Sequence, residues 1–141
     1  MTATHMPSDT RFLGEDPAAR LLIFAVRRMG AEGLNDASAA HAFVTAFGKD
    51  FRRPLVLLRT LIAELSATSA RPIQIAPWCC PRLTPSEGAI LDVLQRSLTD
   101  EPVAALLLAD LMGVRQAAGA LATASALAIA FADLGLPLGT D

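Results

Sequence analysis

A short run of proline, tryptophan and cysteine is the part of the sequence best suited to chemistry. It consists of Pro77-Trp78-Cys79-Cys80-Pro81 and contains both cysteines and the only tryptophan of the chain. Cysteine thiolates bind soft metals and can ligate haem iron, and the flanking prolines stiffen the segment that would present them. His41 is a further candidate ligand. One hypothesis is therefore a metal or haem site formed by Cys79, Cys80, His41 and Trp78.

The same segment has a simpler structural interpretation. A structural zinc site needs four ligands, commonly with Cys-x-x-Cys spacing, and two adjacent cysteines do not have that spacing. In the simpler interpretation, Trp78 and one cysteine fill a gap between helices and no ion is bound. A thiol-based redox switch is a third interpretation. The sequence favours the structural interpretation and predicts no cofactor, with a metal or haem at Cys79 and Cys80 kept as the alternative.

Arginine supplies most of the positive charge in the first part of the chain, where residues 20–82 hold eight arginines and one lysine. Guanidinium groups make two-point contacts with carboxylates and phosphates. If the first and third helices pack side by side, five of these side chains would form an anion-binding or partner-binding site: Arg27, Arg28, Arg52, Arg53 and Arg59. The alternative is a set of solvated helix faces that pair with the second half of the chain. Residues 1–82 carry a formal charge of +3, and residues 83–141 carry −5.

Catalytic machinery is scarce in this sequence. We find no Ser/His/Asp set, phosphate-binding loop, His-Glu metal motif or carboxylate pair. A single helical histidine such as His41 is more often hydrogen bonded in a partly buried position than catalytic. We therefore predict no catalytic residues and favour a protein that is not an enzyme.

The elements that must position these residues are predicted to be helices. The composition is 52% hydrophobic and 18% charged, with no tyrosine, and its excess of leucine and alanine favours helix. Asp16 with Pro17, and the capping box Thr84-Pro85-Ser86-Glu87, are typical helix starts. We expect the first helix to end at Gly30, with its arginines on the face opposite the core. The predicted fold is an all-α bundle of five or six helices over residues 15–141, after a mobile tail formed by residues 1–14.

Two segments depart from an ordinary amphipathic helix. Prolines 72, 77 and 81 exclude a helix from residues 71–83, which are predicted as a Pro-rich loop with a short extended piece at residues 73–75. Residues 116–132 carry no charge and are mostly alanine. A helix of that kind is expected to be buried, at the centre of the bundle or in a dimer interface. Its predicted packing residues are Gly119, Ala120, Thr123, Ala124 and Leu127.

The uncharged helix could in principle belong to a membrane protein or to a nucleic-acid-binding protein. An uncharged run of about 17 residues is short for a membrane span, and Arg115 and Asp133 bracket it closely. Residues 108–116 resemble the turn of a helix-turn-helix protein, since Gly113 lies at the expected turn. The helix that follows offers almost no side chain suited to bases or phosphates. We therefore expect neither a membrane nor a nucleic acid as partner, and keep a divergent helix-turn-helix regulator as an alternative.

Several short motifs resemble a small family of uncharacterised bacterial proteins, a domain of unknown function. The similarity lies in residues 27–30, 33–37, 51–55 and 77–81 and extends over nearly the whole chain after residue 15. It implies no assigned activity and supplies no catalytic residues. With no visible secretory signal and no disulfide framework, a cytoplasmic location is expected. The leading hypothesis is a homodimeric, non-enzymatic interaction or regulatory module with an unknown protein partner. The alternative is a ligand-binding or metal-binding protein that uses Cys79 and Cys80.

Overall fold

A computed structural model describes residues 11–139, and within that range the chain forms six α-helices and no strand. They are α1 (Pro17–Glu32), α2 (Ala37–Phe47), α3 (Arg52–Thr68), α4 (Pro85–Arg96), α5 (Glu101–Met112) and α6 (Ala118–Asp133). A 3-10 turn, Gly48–Asp50, lies between α2 and α3. The predicted all-α fold, with an alanine-rich C-terminal helix and one Pro-rich loop, is confirmed. None of the described helices is long and apolar enough to cross a membrane.

The helices begin where capping side chains satisfy free backbone N–H groups. The Asp16 carboxylate accepts a hydrogen bond from the Ala19 amide at the start of α1. The predicted end of α1 at Gly30 is wrong, because the helix continues to Glu32 and ends at Gly33. Gly33 has φ 111°, a backbone conformation that other residues rarely adopt, whereas Gly30 remains helical. A glycine inside a helix costs only about 1 kcal/mol, which packing of the neighbouring turns can offset.

Neighbouring helices pack in pairs, α1 with α2, α3 with α6, and α4 with α5. Helix α6 also contacts α4 and α5, so it joins the α3 side of the bundle to the C-terminal pair. Three phenylalanines, Phe43, Phe47 and Phe131, pack edge to face with ring centroids 5.2 to 5.9 Å apart. This cluster holds α2 against the end of α6, because the positive edge of one aromatic ring is attracted to the negative face of the next.

Helix α6 is buried on one face within the chain. Three of its five predicted packing residues are in the core, namely Ala120, Ala124 and Leu127. Gly119 and Thr123 instead lie beside Glu64 of α3, whose carboxylate accepts a hydrogen bond of 2.6 Å from the Thr123 hydroxyl. A Cβ atom at Gly119 would lie 3.4 Å from the Glu64 carboxylate. Small residues thus allow α3 and α6 to approach closely on this side, while the opposite face of α6 is exposed.

The segment that precedes α1 is attached to the Pro-rich loop. The Leu13 amide donates to the Pro81 carbonyl at 2.9 Å, and the Leu83 amide donates to the Arg11 carbonyl at 2.8 Å. Residues 11–14, the described part of the predicted mobile tail, are therefore held against the loop on one side. Residues 1–10 of that predicted tail lie outside the described residues. The short extended piece predicted at residues 73–75 forms no strand.

The packing of α6 leads to a stability prediction. Ala124→Leu should lower the free energy of unfolding by about 1–3 kcal/mol, since Ala124 is fully buried and the added atoms must displace neighbours. Ala120→Leu should behave similarly. Ala46→Leu places the same change on an exposed position of α2 and should stay within about 0.5 kcal/mol of the unmodified protein. Urea unfolding measures all three, and equal stabilities for Ala124→Leu and Ala46→Leu would contradict the packing of α6 described above.

Candidate functional site

A buried arginine organises the Pro-rich loop. Arg27 was predicted on the polar face of α1, but it is only 2% exposed. Its Nε and Nη2 atoms donate to the two carboxylate oxygens of Glu87 at 2.9 and 3.0 Å. Its remaining N–H groups donate to the backbone carbonyls of Trp78 (3.4 Å), Cys80 (2.7 Å) and Arg82 (2.8 Å). Every N–H group of the guanidinium therefore has an acceptor, which is the condition for burying a charge of this kind.

Glu87 completes the arrangement from the start of α4. One carboxylate oxygen also accepts from the Thr84 amide at 2.9 Å, as expected in a capping box. The other also accepts from the Ala76 amide at 3.0 Å. The ion pair between Arg27 and Glu87 thus holds the backbone of the α3–α4 loop (residues 69–84) against helices α1 and α4, both at residue 76 and at residues 78–84. The sequence signalled Glu87 only as a capping residue and did not reveal its partner Arg27.

At the tip of the loop the side chains of Trp78 and Cys79 are exposed, whereas Ile73 and Leu83 of the same loop are buried. The carbonyls of Trp78 and Cys80 face the Arg27 guanidinium. The interpretation of Trp78 as a filler between helices is wrong, because its side chain is exposed. Trp78 is 62% exposed, Cys79 is exposed and Cys80 is partly exposed. The Cys80 amide donates to the Pro77 carbonyl at 3.0 Å and closes a tight turn, whose last two residues are the cysteines.

These residues border a cavity of about 660 Å³ that is open to solvent. Its walls come from the segment before α1, from α1 and from the loop, and include Phe12, Arg20, Phe24, Trp78, Cys79 and Cys80. The structure therefore brings three of the four predicted ligand residues together. His41 lies apart from them, exposed on α2. Among the described residues, no group of three or more His, Cys, Asp or Glu side chains is arranged to hold a metal ion.

The five arginines of the predicted anion site are distributed over three places. Arg27 is occupied as described. Arg28 pairs with Asp36 through hydrogen bonds of 3.0 and 3.2 Å, and Arg59 donates to the Leu34 carbonyl at 2.9 Å. Both of these side chains hold the turn between α1 and α2. The hydrogen bond from Arg28, together with the Ala39 amide, lowers the pKa of Asp36 below its usual value, and the same contact raises the pKa of Arg28.

Arg52 and Arg53 are the two predicted anion-site residues that remain exposed together. They line a second cavity, of about 370 Å³, with Lys49, Asp50 and Asp133. The Arg52 guanidinium also lies 5.3 Å from the ring centroid of Phe51. Because carboxylates as well as cations line this cavity, its charge is mixed rather than uniformly positive.

Breaking the ion pair should strongly destabilise the protein. Arg27→Met leaves the Glu87 carboxylate buried without its cation, and we expect the free energy of unfolding to fall by about 3–5 kcal/mol. Arg20→Met is the matched control on the same helix, because the Arg20 side chain is about half exposed, and it should cost less than about 1 kcal/mol. In urea unfolding, similar losses for the two variants would contradict a structural role for Arg27.

The pair of Arg28 and Asp36 should make the free energy of unfolding depend on pH in the acid range. The pKa of Asp36 is lowered in the folded protein, so its ionised form stabilises the fold above the unfolded pKa of about 3.9, and this contribution is lost as pH falls through the folded pKa. We expect Asp36→Asn to lower the melting temperature at neutral pH and the difference to shrink in acid. In an Arg28→Met background the effect of Asp36→Asn at neutral pH should be smaller, and an unchanged effect would contradict the pairing.

The comparison with protein families places the chain in a group without an assigned activity. Residues 8–139 match the model of a family of unknown function, DUF6628. No curated protein and no solved structure matches the chain. The matched range includes Arg27, Glu87 and the cysteine loop, as well as the Arg28 and Asp36 pair. Because the match covers nearly the whole sequence, the chain belongs to the family of unknown function DUF6628.

Proposed function

We propose that this protein is a non-enzymatic helical interaction module that works as a homodimer, with the exposed face of α6 as the contact between the two copies. The observation that carries the proposal is the absence of charge on that face before the last residue of the helix, Asp133, which is exposed. Residues 116–132 contain no ionisable side chain, yet α6 is buried only on its side toward the core. An exposed helix face normally carries charged or polar residues.

Five residues of α6 that are not buried follow the spacing of a helix–helix seam. Their intervals alternate between four and three residues, the period at which one helix packs along another. We name this set the outer seam, and it consists of Ala118, Ala122, Ser125, Ile129 and Ala132, of which Ser125 is half-buried and the other four are exposed. Four of the five side chains are alanine or serine, so two backbones can approach closely, and Ile129 supplies the bulkiest apolar group.

A second copy of the chain is the partner that suits this seam. An uncharged, small and apolar surface is complementary to itself, and a two-fold axis places identical seams against each other. A helix of 16 residues is about 24 Å long, so the seam alone forms a small interface. The neighbouring helix α5 has no charge between Pro102 and Ala109, and its Leu106 side chain is 71% exposed, so it offers a further apolar group for association.

The helix-turn-helix alternative has less support. Helices α5 and α6 are joined by residues 113–117, and Gly113 adopts the left-handed conformation of a tight turn, with φ 70°. The outer seam, however, offers no cation to the phosphates that supply most of the affinity for DNA.

Replacing one side chain of the outer seam should dissociate the dimer. We expect Ile129→Glu to be monomeric by sedimentation velocity at concentrations where the unmodified protein is dimeric, because two carboxylates would face each other in the contact. Val44→Glu is the matched control, since Val44 and Ile129 are both β-branched helical residues that are 41% exposed. It should remain dimeric.

A second variant separates dissociation from misfolding. Ala122→Glu changes a smaller exposed residue of the same seam and should also give a monomer, with an unchanged helical circular dichroism spectrum. The proposal would be overturned by an unmodified protein that is monomeric at all accessible concentrations, or by a dimer that survives both seam variants.

A further inference from the structure

We propose that Cys79 and Cys80 form a two-thiolate site for the soft monovalent cation Cu(I) at the edge of the cavity lined by Trp78. The site is separate from the outer seam and does not depend on dimer formation. It uses both cysteines of the chain, which are free thiols outside the ion pair and the outer seam.

The first argument is the fixed presentation of both thiols. Both cysteines line the same cavity and neither takes part in a disulfide. The carbonyls of Trp78 and Cys80, one on each side of Cys79, accept hydrogen bonds from the buried Arg27 guanidinium. Arg27 is itself fixed by Glu87. A ligand site held in this way binds more tightly than a mobile one, since less conformational freedom is lost when the ion enters.

The number of ligands selects the ion. No third His, Cys, Asp or Glu side chain of the described residues joins the two cysteines in a possible metal group. Structural zinc sites use four ligands, whereas Cu(I) prefers soft sulfur ligands and is stable with two thiolates in a near-linear arrangement. Binding replaces two S–H bonds by two Cu–S bonds, releases both protons to solvent and leaves a complex with one negative charge.

The surroundings give an anionic complex partial apolar cover and a nearby cation. Phe12, Phe24 and Trp78 provide apolar walls around the cavity, and Glu15 and Arg20 also line it. The Arg20 guanidinium donates to the Gly14 carbonyl at 2.9 Å and lies 3.9 Å from the Glu15 carboxylate. Because both side chains of this pair are largely exposed, the pairing is weak and leaves the Arg20 charge available to balance that of the complex. A nearby cation offsets the negative charge of the complex and favours retention of the ion over its loss to solvent.

A competition titration under anaerobic conditions tests the site. The protein is titrated with Cu(I) in the presence of a chromogenic Cu(I) chelator, and emission from Trp78, the only tryptophan, reports binding next to the thiols. We expect one Cu(I) per chain with quenching of Trp78. Cys79→Ser and Cys80→Ser should each abolish binding in competition with the chelator, with unchanged circular dichroism and an unchanged oligomeric state. Arg20→Met should weaken binding by about tenfold.

Two controls keep the proposal falsifiable. A peptide of residues 76–82 contains the same thiols without the fold and should bind Cu(I) more weakly than the protein. Zn²⁺ added in place of Cu(I) should leave the Trp78 emission unchanged at equal concentration. The proposal is overturned if the peptide and the protein bind equally, if a single cysteine variant retains full affinity, or if one ion is bound per two chains.

Discussion

The buried ion pair between Arg27 and Glu87 is the interaction on which the arrangement of the Pro-rich loop depends. Removing two charges from water is costly, and their attraction compensates only when all of their hydrogen-bonding groups are also satisfied. Here the guanidinium has five acceptors, and the carboxylate accepts two backbone amides in addition to Arg27. The loop lacks helix and strand, so its inward-facing carbonyls would otherwise have no regular partners.

That constraint also explains the surface of the loop. Because the backbone carbonyls at positions 78, 80 and 82 are directed at one buried guanidinium, Trp78 and Cys79 remain at the surface. An exposed tryptophan is costly in isolation, since a large apolar side chain gains free energy when it leaves water. Trp78 lies beside two thiols and a cavity. The ion pair between α1 and α4 therefore also determines how these thiols are presented at the surface.

Helix α6 illustrates a different constraint, that of close approach. Alanine and glycine on its inner faces bring its backbone near α3, and Thr123 and Glu64 form the polar contact between them. The same composition continues around the helix and leaves the outer seam without charge. A helix built for close packing on one side thus carries a surface on the other side that is equally suited to close packing, which connects the internal architecture to the proposed self-association.

How much the sequence predicted depends on the range of the interactions involved. Helix starts were predictable because capping and proline at the first turn are local, as with Asp16 before α1 and the Thr84 capping box. Ala120, Ala124 and Leu127 were correctly placed in a packed face of α6. The end of α1 was missed because glycine at position 30 is tolerated within a helix, and only the turn at Gly33 requires a positive φ.

The site could not be derived in the same way. Arg27 and Glu87 are 60 residues apart, and nothing in the local sequence around either one distinguishes a buried arginine from a solvated one. Likewise, the assignment of Arg28 and Arg59 to one turn, and the separation of His41 from the cysteines, depend on how the helices pack. The sequence by itself determined the helical class, the helix starts and the absence of charge from residues 116–132, because those follow from composition and local propensity. Only the tertiary structure decided which arginine is buried and which way the cysteine loop faces, since those outcomes depend on contacts between distant segments.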